Sequence, residues 1–266
     1  MPWPGMARRE RPERRPGVSR DGVPLTMRGQ IGIDGGFFSA GDEDAAGASI
    51  DIVGGIPLTR HTFLDLRIPL AFGSSTFSVG NIDAGAHHVF SPADGLWLSL
   101  GGGLGLPTLN EDTSSRSAYE IGTVTSAHWY FSEFWPNSVP IRASFGLEGH
   151  LGDIVTLRFF TNLVVMIGYE DNGQHELAIP HAVEVQFGHE LGGGLRVQGV
   201  ALPTLDDAGQ STSFDGDLYQ LALEPFFSYE GDLAFARAGI MMPLDGQLGP
   251  PFVQSWGFRL GTGVRL

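Results

Sequence analysis

Alternation of apolar with small or polar residues, sustained over runs of about 12 to 16 residues, dominates this sequence from residue 25 onward. In VPIRASFGLEGHL, Val139, Ile141, Ala143, Phe145, Leu147 and Leu151 share one parity, and Pro140, Arg142, Ser144, Gly146, Glu148 and His150 the other. A period of two sends alternate side chains to opposite faces of a strand. Thirteen segments read this way, near 25–37, 46–58, 61–73, 77–90, 94–107, 116–131, 138–151, 154–169, 175–190, 192–203, 216–229, 232–244 and 253–266. Ordinary globular strands average about 5 to 6 residues, whereas a tilted membrane-crossing strand needs about 9 to 11 plus its rims.

The polar parity separates a sandwich from a barrel. A β-sandwich turns its polar face to bulk water and needs long solubilising side chains there. Here that face is glycine, serine and alanine punctuated by single charges: Asp51, Asp65, Arg67, Glu120, Arg142, Glu148, Arg158, Glu184, Glu224, Arg237 and Arg259. Small residues and opposite charges that pair across strands suit a lumen, with the apolar parity (Leu98, Leu100, Phe145, Leu147, Val183, Val185, Leu221) turned to lipid. Only a closed sheet leaves no unpaired backbone in a bilayer. Aromatics near strand ends (Phe37, Phe72, Phe90, Trp129, Phe131, Trp135, Tyr169, Tyr219, Phe227, Tyr229 and Trp256) fit two interfacial girdles. The expected fold is all-β: an antiparallel transmembrane β-barrel over 25–266. A soluble β-sandwich or lipocalin-like barrel is the lesser alternative. Single-chain bacterial barrels have even strand counts, so one of the thirteen segments is false or merged; about twelve strands are expected, within ten to fourteen.

Composition agrees. The longest apolar run, near Leu163 to Ile167, is far short of the roughly 20 residues of a membrane helix. There is no cysteine, hence no disulfide or thiolate metal site. The net charge is −14, and removing residues 1–24, with six arginines and three acidic residues, leaves −17 on the remainder. Such a body does not bind nucleic acid, which requires clustered cationic side chains. Residues 1–24 are rich in arginine and proline without apolar periodicity and are expected to be a disordered segment. They carry a basic stretch like the start of a signal peptide but no apolar core after it, which points to a misassigned start or a missing leader.

The closing stretch, SWGFRLGTGVRL, keeps its alternation to Leu266. Its last eight residues resemble the β-signal of Gram-negative outer-membrane β-barrel proteins: a polar residue, a glycine two positions on, then two hydrophobic residues alternating to the end. Arg259, Gly261, Val264 and Leu266 occupy those positions, although leucine stands where bacterial members usually carry phenylalanine. The resemblance covers 25–266 as architecture. It implies a bacterial outer-membrane location, outer-membrane lipids and lipopolysaccharide as surroundings, the barrel-assembly machinery as a partner, and a last strand that pairs with the first.

Chemistry is thin by comparison. His87 and His88 are adjacent and point to opposite faces, so they cannot chelate one ion together. Ser144 with His150, or with Asp153 nearby, is the one pairing of hydrolytic type, and nothing local distinguishes it from lumen or rim residues. No Gly-x-Ser-x-Gly, zinc-protease or phosphate-loop motif occurs, so no catalytic residue, metal or cofactor is assigned and the chain is read as a non-enzyme, an outer-membrane hydrolase being the less favoured reading. Asp42-Glu43-Asp44, Glu111-Asp112, Asp206-Asp207 and Asp215/Asp217 read as solvated acidic loops, with Ca²⁺ or a divalent bridge to lipopolysaccharide as the sharper alternative. GLPTLNED at 105–112 and ALPTLDDA at 201–208 are near copies that read as recurrent rim chemistry, proline falling where a strand ends. The expected function is a narrow, weakly cation-selective channel or porin for small solutes, with Arg142, Glu148, Arg158, Glu184, Glu224, Arg237 and Arg259 facing the lumen. The alternative is a structural or surface-interaction barrel with a plugged lumen.

Overall fold

A computed structural model describes residues 18–19, 24–25, 30–40, 46–73, 77–109, 121–122, 131–152, 154–169, 175–188, 190–204, 218–231, 233–244 and 255–265. Twelve long strands form it: β1 (Gln30–Ala40), β2 (Ala46–Pro57), β3 (Thr62–Phe72), β4 (Ile82–Ala93), β5 (Leu96–Leu106), β6 (Ser138–Leu151), β7 (Val155–Gly168), β8 (His175–Gly188), β9 (Leu191–Leu202), β10 (Leu218–Glu230), β11 (Ala234–Pro243) and β12 (Ser255–Arg265). Each pairs antiparallel with its sequence neighbours, and β12 pairs with β1 from Ser255↔Ala40 to Arg265↔Gln30. The sheet is therefore a closed barrel. Among the described residues no helix is long and apolar enough to cross a membrane, and the helical turns are Ile121–Gly122 and a 3₁₀ turn at Phe131–Glu133.

Of the thirteenth expected segment, 116–131, only Ile121, Gly122 and Phe131 are described, and they lie in helical turns. β5 and β6 pair directly with each other, from Leu96↔Gly149 to Leu104↔Ile141, and leave no place for a strand between them. Aromatic and β-branched residues in AYEIGTVTSAHWYF are what give the sequence its strand-like pattern there. The expected 77–90 resolves into a short piece, Phe77–Val79, that folds back on the end of β3, and then β4. The barrel's first strand begins at Gln30 rather than residue 25; upstream, Val18–Ser19 pairs with Pro24–Leu25 and the rest of the N-terminal segment lies outside the described residues.

The connections sort by rim. On one rim they are short: 58–61, 94–95, 152–154, 189–190 and 231–233, two to four residues each. On the other they are 41–45, 73–81, 107–137, 169–174, 203–217 and 244–254, from 5 to 31 residues. Long and short connections thus alternate cleanly, as in outer-membrane barrels, and every acidic loop cluster lies in sequence on the long-loop rim. One two-residue turn, Asp94–Gly95, places Gly95 at φ 74°, a conformation that favours glycine. The two near-copied motifs do the same local work at the long-loop rim. Thr108 Oγ1 accepts from Ile82 N at the start of β4, and Thr204 Oγ1 accepts from Leu177 N near the start of β8.

Alternation is realised along each strand. In β10, Ala222, Glu224, Phe226 and Ser228 are buried while Phe227 and Tyr229 are exposed. In β12, Trp256, Phe258, Leu260 and Val264 are exposed while Gly257, Arg259 and Gly261 are buried. The outer surface is thus an apolar band, in which Ile33, Ile52, Leu100, Leu163, Val183 and Leu195 are exposed. Phe37, Phe90, Tyr169, Phe227, Tyr229 and Trp256 stand exposed toward the strand ends. Phe131 and Trp135 do not join them; both pack inside the barrel. Trp129 lies outside the described residues.

Candidate functional site

The candidate site is the lumen, and its chemistry is a ladder of charges set by strand register. Glu148 on β6 stands opposite Arg158 on β7, Arg158 opposite Glu184 on β8, Glu184 opposite Arg196 on β9, and Arg196 opposite Glu224 on β10. Five neighbouring strands thus carry inward charges of alternating sign in one row. Arg158 donates from Nε to Glu148 Oε2 and from Nη1 to Glu184 Oε1, both at 2.8 Å. Arg237 on β11 donates from Nη1 to Glu184 Oε2 at 2.6 Å and from Nη2 to Glu224 Oε1 at 3.1 Å. Its guanidinium lies 3.6 Å above the Phe226 ring. Arg259 on β12 reaches both oxygens of Asp34 on β1 from Nε at 3.1 Å, and its Nη1 is 3.7 Å from Glu224 Oε2. Removing these charges from water costs several kcal/mol per ion, and only close, multiply bonded opposite charges offset it.

A second group lies across the lumen. Arg67 donates to Glu133 at 2.7 Å, Arg142 to Asp83 at 2.6 Å, and His87 Nδ1 sits 2.7 Å from Asp65 while stacking on Phe63 at 5.0 Å. His88 points outward, 2.9 Å from the Thr62 hydroxyl, so the two adjacent histidines occupy opposite faces. Ser144 and His150 are not brought together: six residues along one strand separate them by about 20 Å. His150 instead bonds Glu148 at 2.6 Å and meets Trp97 edge-on. Asp153 and Glu120 lie outside the described residues.

Between the two groups runs a segment that the alternation does not reveal. Within the connection from β5 to β6, Phe131–Trp135 folds into the barrel. Phe134 is completely buried in a cluster with Ala71 of β3, Leu109, Phe160 of β7 and Ala182 of β8. Phe131 packs with Val164, Met166, Ala178, Val200, Leu202 and Leu218 on β7 to β10, and Glu133 reaches across to Arg67 on β3. Asn81 fastens the segment. Its Nδ2 donates to Trp135 O at 2.7 Å and Ser132 O at 3.3 Å, and its backbone N donates to Glu133 O at 2.6 Å. Gly80 permits the approach, since a Cβ there would stand 2.5 Å from Glu133 O. The long-loop half of the lumen thus holds these apolar clusters beside the Arg142–Asp83 pair, Glu133 and Glu176, and the Glu148–Arg158–Glu184 row lies toward the short turns.

All seven expected lumen residues lie on inward positions; six are buried, and Arg142 is partly buried. Asp34, Asp83, Glu133 and Arg196 belong with them and were not singled out from the sequence. Asp34 in IGIDGG and Arg196 in LRVQGV sit on the polar parity and carry a legible signal. Glu133 has none, because it lies outside any strand. Of the terminal residues, Arg259 and Gly261 face inward, Val264 faces outward, and Leu266 lies outside the described residues.

A closed antiparallel barrel of twelve strands, apolar outside and charged within, defines the chain as a β-barrel of the outer-membrane type. Solved structures agree with that fold. An outer membrane channel from Pseudomonas putida F1 superposes with a TM-score of 0.58 at 10% identity, over 89% of this chain and 95% of that one. The NanC porin gives 0.57 at 8% identity, over 89% and 100%. The KdgM porin in complex with disordered oligogalacturonate gives 0.50 at 10% identity, over 89% and 99%. No known family description matches the chain, and no curated protein matches its sequence.

Proposed function

We propose that this protein is a narrow outer-membrane channel for small solutes in a Gram-negative bacterium, with a weak preference for cations. The observation that carries it is the lumen charge: nine buried carboxylates (Asp34, Asp51, Asp65, Asp83, Glu133, Glu148, Glu176, Glu184 and Glu224) face six arginines there, counting Arg142. Carboxylate excess raises the local concentration of cations and repels anions. Acidic sequences in the long connections act in the same direction at the mouth. Agreement of fold with a channel and porins over nearly their whole length supports the reading. In a cell the apolar band is surrounded by outer-membrane lipids, with lipopolysaccharide at the long-loop rim, and the β12 sequence ending Arg259, Gly261, Val264 and Leu266 serves the assembly machinery.

A second reading, a plugged structural barrel, is favoured by the burial of Phe134 and of the Glu184–Arg237–Glu224 network. Single-channel recording of the refolded chain in a planar bilayer separates the two. Small, cation-preferring steps are expected. Normal insertion without conductance, persisting when Phe134 is replaced by alanine, would leave the plugged barrel as the function.

A further inference from the structure

The lumen's ion pairs do not take in every buried carboxylate. Asp51 on β2 is buried at 2% exposure, and its Oδ1 accepts no hydrogen bond. Directly opposite it in register stands another acid, Asp34. Arg259, the cation nearest in the network, is engaged elsewhere: it is bonded to Asp34 and lies beside Glu224. Glu133 is brought in by the inward-folded segment, whose backbone lies against Gly80 beside Pro69, the residue opposite Asp51 on β3, and Glu133 is bonded to Arg67. Asp51 thus sits between two ion pairs, Asp34 with Arg259 and Glu133 with Arg67, and takes part in neither. A buried anion without a partner is expensive, so the group takes up either a proton or a cation.

We propose that Asp51, flanked by Asp34 and Glu133, is a binding site in the lumen for a small hard cation. Carboxylate oxygens are the ligands that Ca²⁺ and other hard cations take. Among the described residues no three acidic or histidine side chains converge closely enough to cage a metal. The cation therefore keeps part of its hydration shell and is held loosely, as conduction requires of a site an ion must also leave. The site deepens the channel reading and rests on it for its role in permeation, though not for its existence.

The test uses the full chain refolded in micelles and bilayers, comparing wild type with Asp51→Asn, which keeps the shape and removes the charge, and Asp51→Glu, which keeps the charge. In a potassium chloride gradient, Asp51→Asn is expected to lower the potassium-over-chloride permeability ratio by about threefold, and Asp51→Glu to retain most of it. An unchanged ratio in Asp51→Asn overturns the proposal while leaving a channel. The second readout needs no conduction: the infrared difference spectrum of wild type minus Asp51→Asn, in calcium chloride against choline chloride. An ionised-carboxylate band that shifts with calcium is expected. A protonated carboxyl band indifferent to the cation means that Asp51 is satisfied by a proton, and overturns the site even in a protein that conducts. A calcium-sensitive band in a barrel that never conducts upholds the site and rejects the channel.

Discussion

At the scale of single residues, Glu184 is the side chain on which the lumen network most depends. It is wholly buried and accepts from Arg158 and Arg237 at once, with Arg196 opposite it in register. Removing one partner of a buried pair leaves the other charge uncompensated, which typically costs about 3–5 kcal/mol. Glu184→Gln is therefore expected to lower unfolding stability in micelles by that order, measured as a shift in the denaturant midpoint at unchanged slope. Loss below 1 kcal/mol would mean that water reaches the row and screens it. A substitution of both members, such as Glu184→Leu with Arg237→Met, should cost much less than the single change, because two desolvated charges leave together.

At the scale of elements, the two faces of a strand make opposite demands. Leu163 stands exposed on the outer face of β7 near its middle, and Leu191 opens β9 at the short-turn rim. An arginine at the bilayer midplane costs about 2–4 kcal/mol and one at the interface about 0–1. Leu163→Arg is thus expected to impair folding into vesicles where Leu191→Arg does not; equal, small effects would place the β7 outer face in water. The inward segment makes a different prediction. Phe134→Ala empties a cluster on which the fastening by Asn81 also depends, and Asn81→Ala removes bonds to Ser132 and Trp135. Either change is expected to raise single-channel conductance, by loosening the span across the lumen. Strands were legible because a period of two is written into every turn of chain, so that β6 and β8 match their expected bounds to within two residues. The Phe131–Trp135 segment was not legible. Its residues are aromatic for the same reason as a strand's, to be buried, but the partners that bury them come from β3 and β7 to β10, and no local pattern records that.

At the scale of the whole molecule, the acidic excess should govern selectivity at long range. Cation preference is expected to weaken as potassium chloride is raised toward 1 M, where the screening length falls to about 3 Å, and reversal potentials at several mean concentrations measure it. A preference independent of salt would locate selectivity in direct coordination alone. The same whole-molecule view applies to the seam between β12 and β1. Arg259 and Asp34 are separated by 225 residues in sequence yet share two hydrogen bonds from one nitrogen. Their inward placement holds in a single register, since a slip of one residue would turn a charge to lipid. The pair thus works as a lock that only a finished barrel can turn: every intervening strand must be laid in order before its two halves meet. Such distant pairing makes closure the slow event of folding, and a chain stalled short of it presents two unpaired strand edges, the surfaces most prone to add a strand from another molecule.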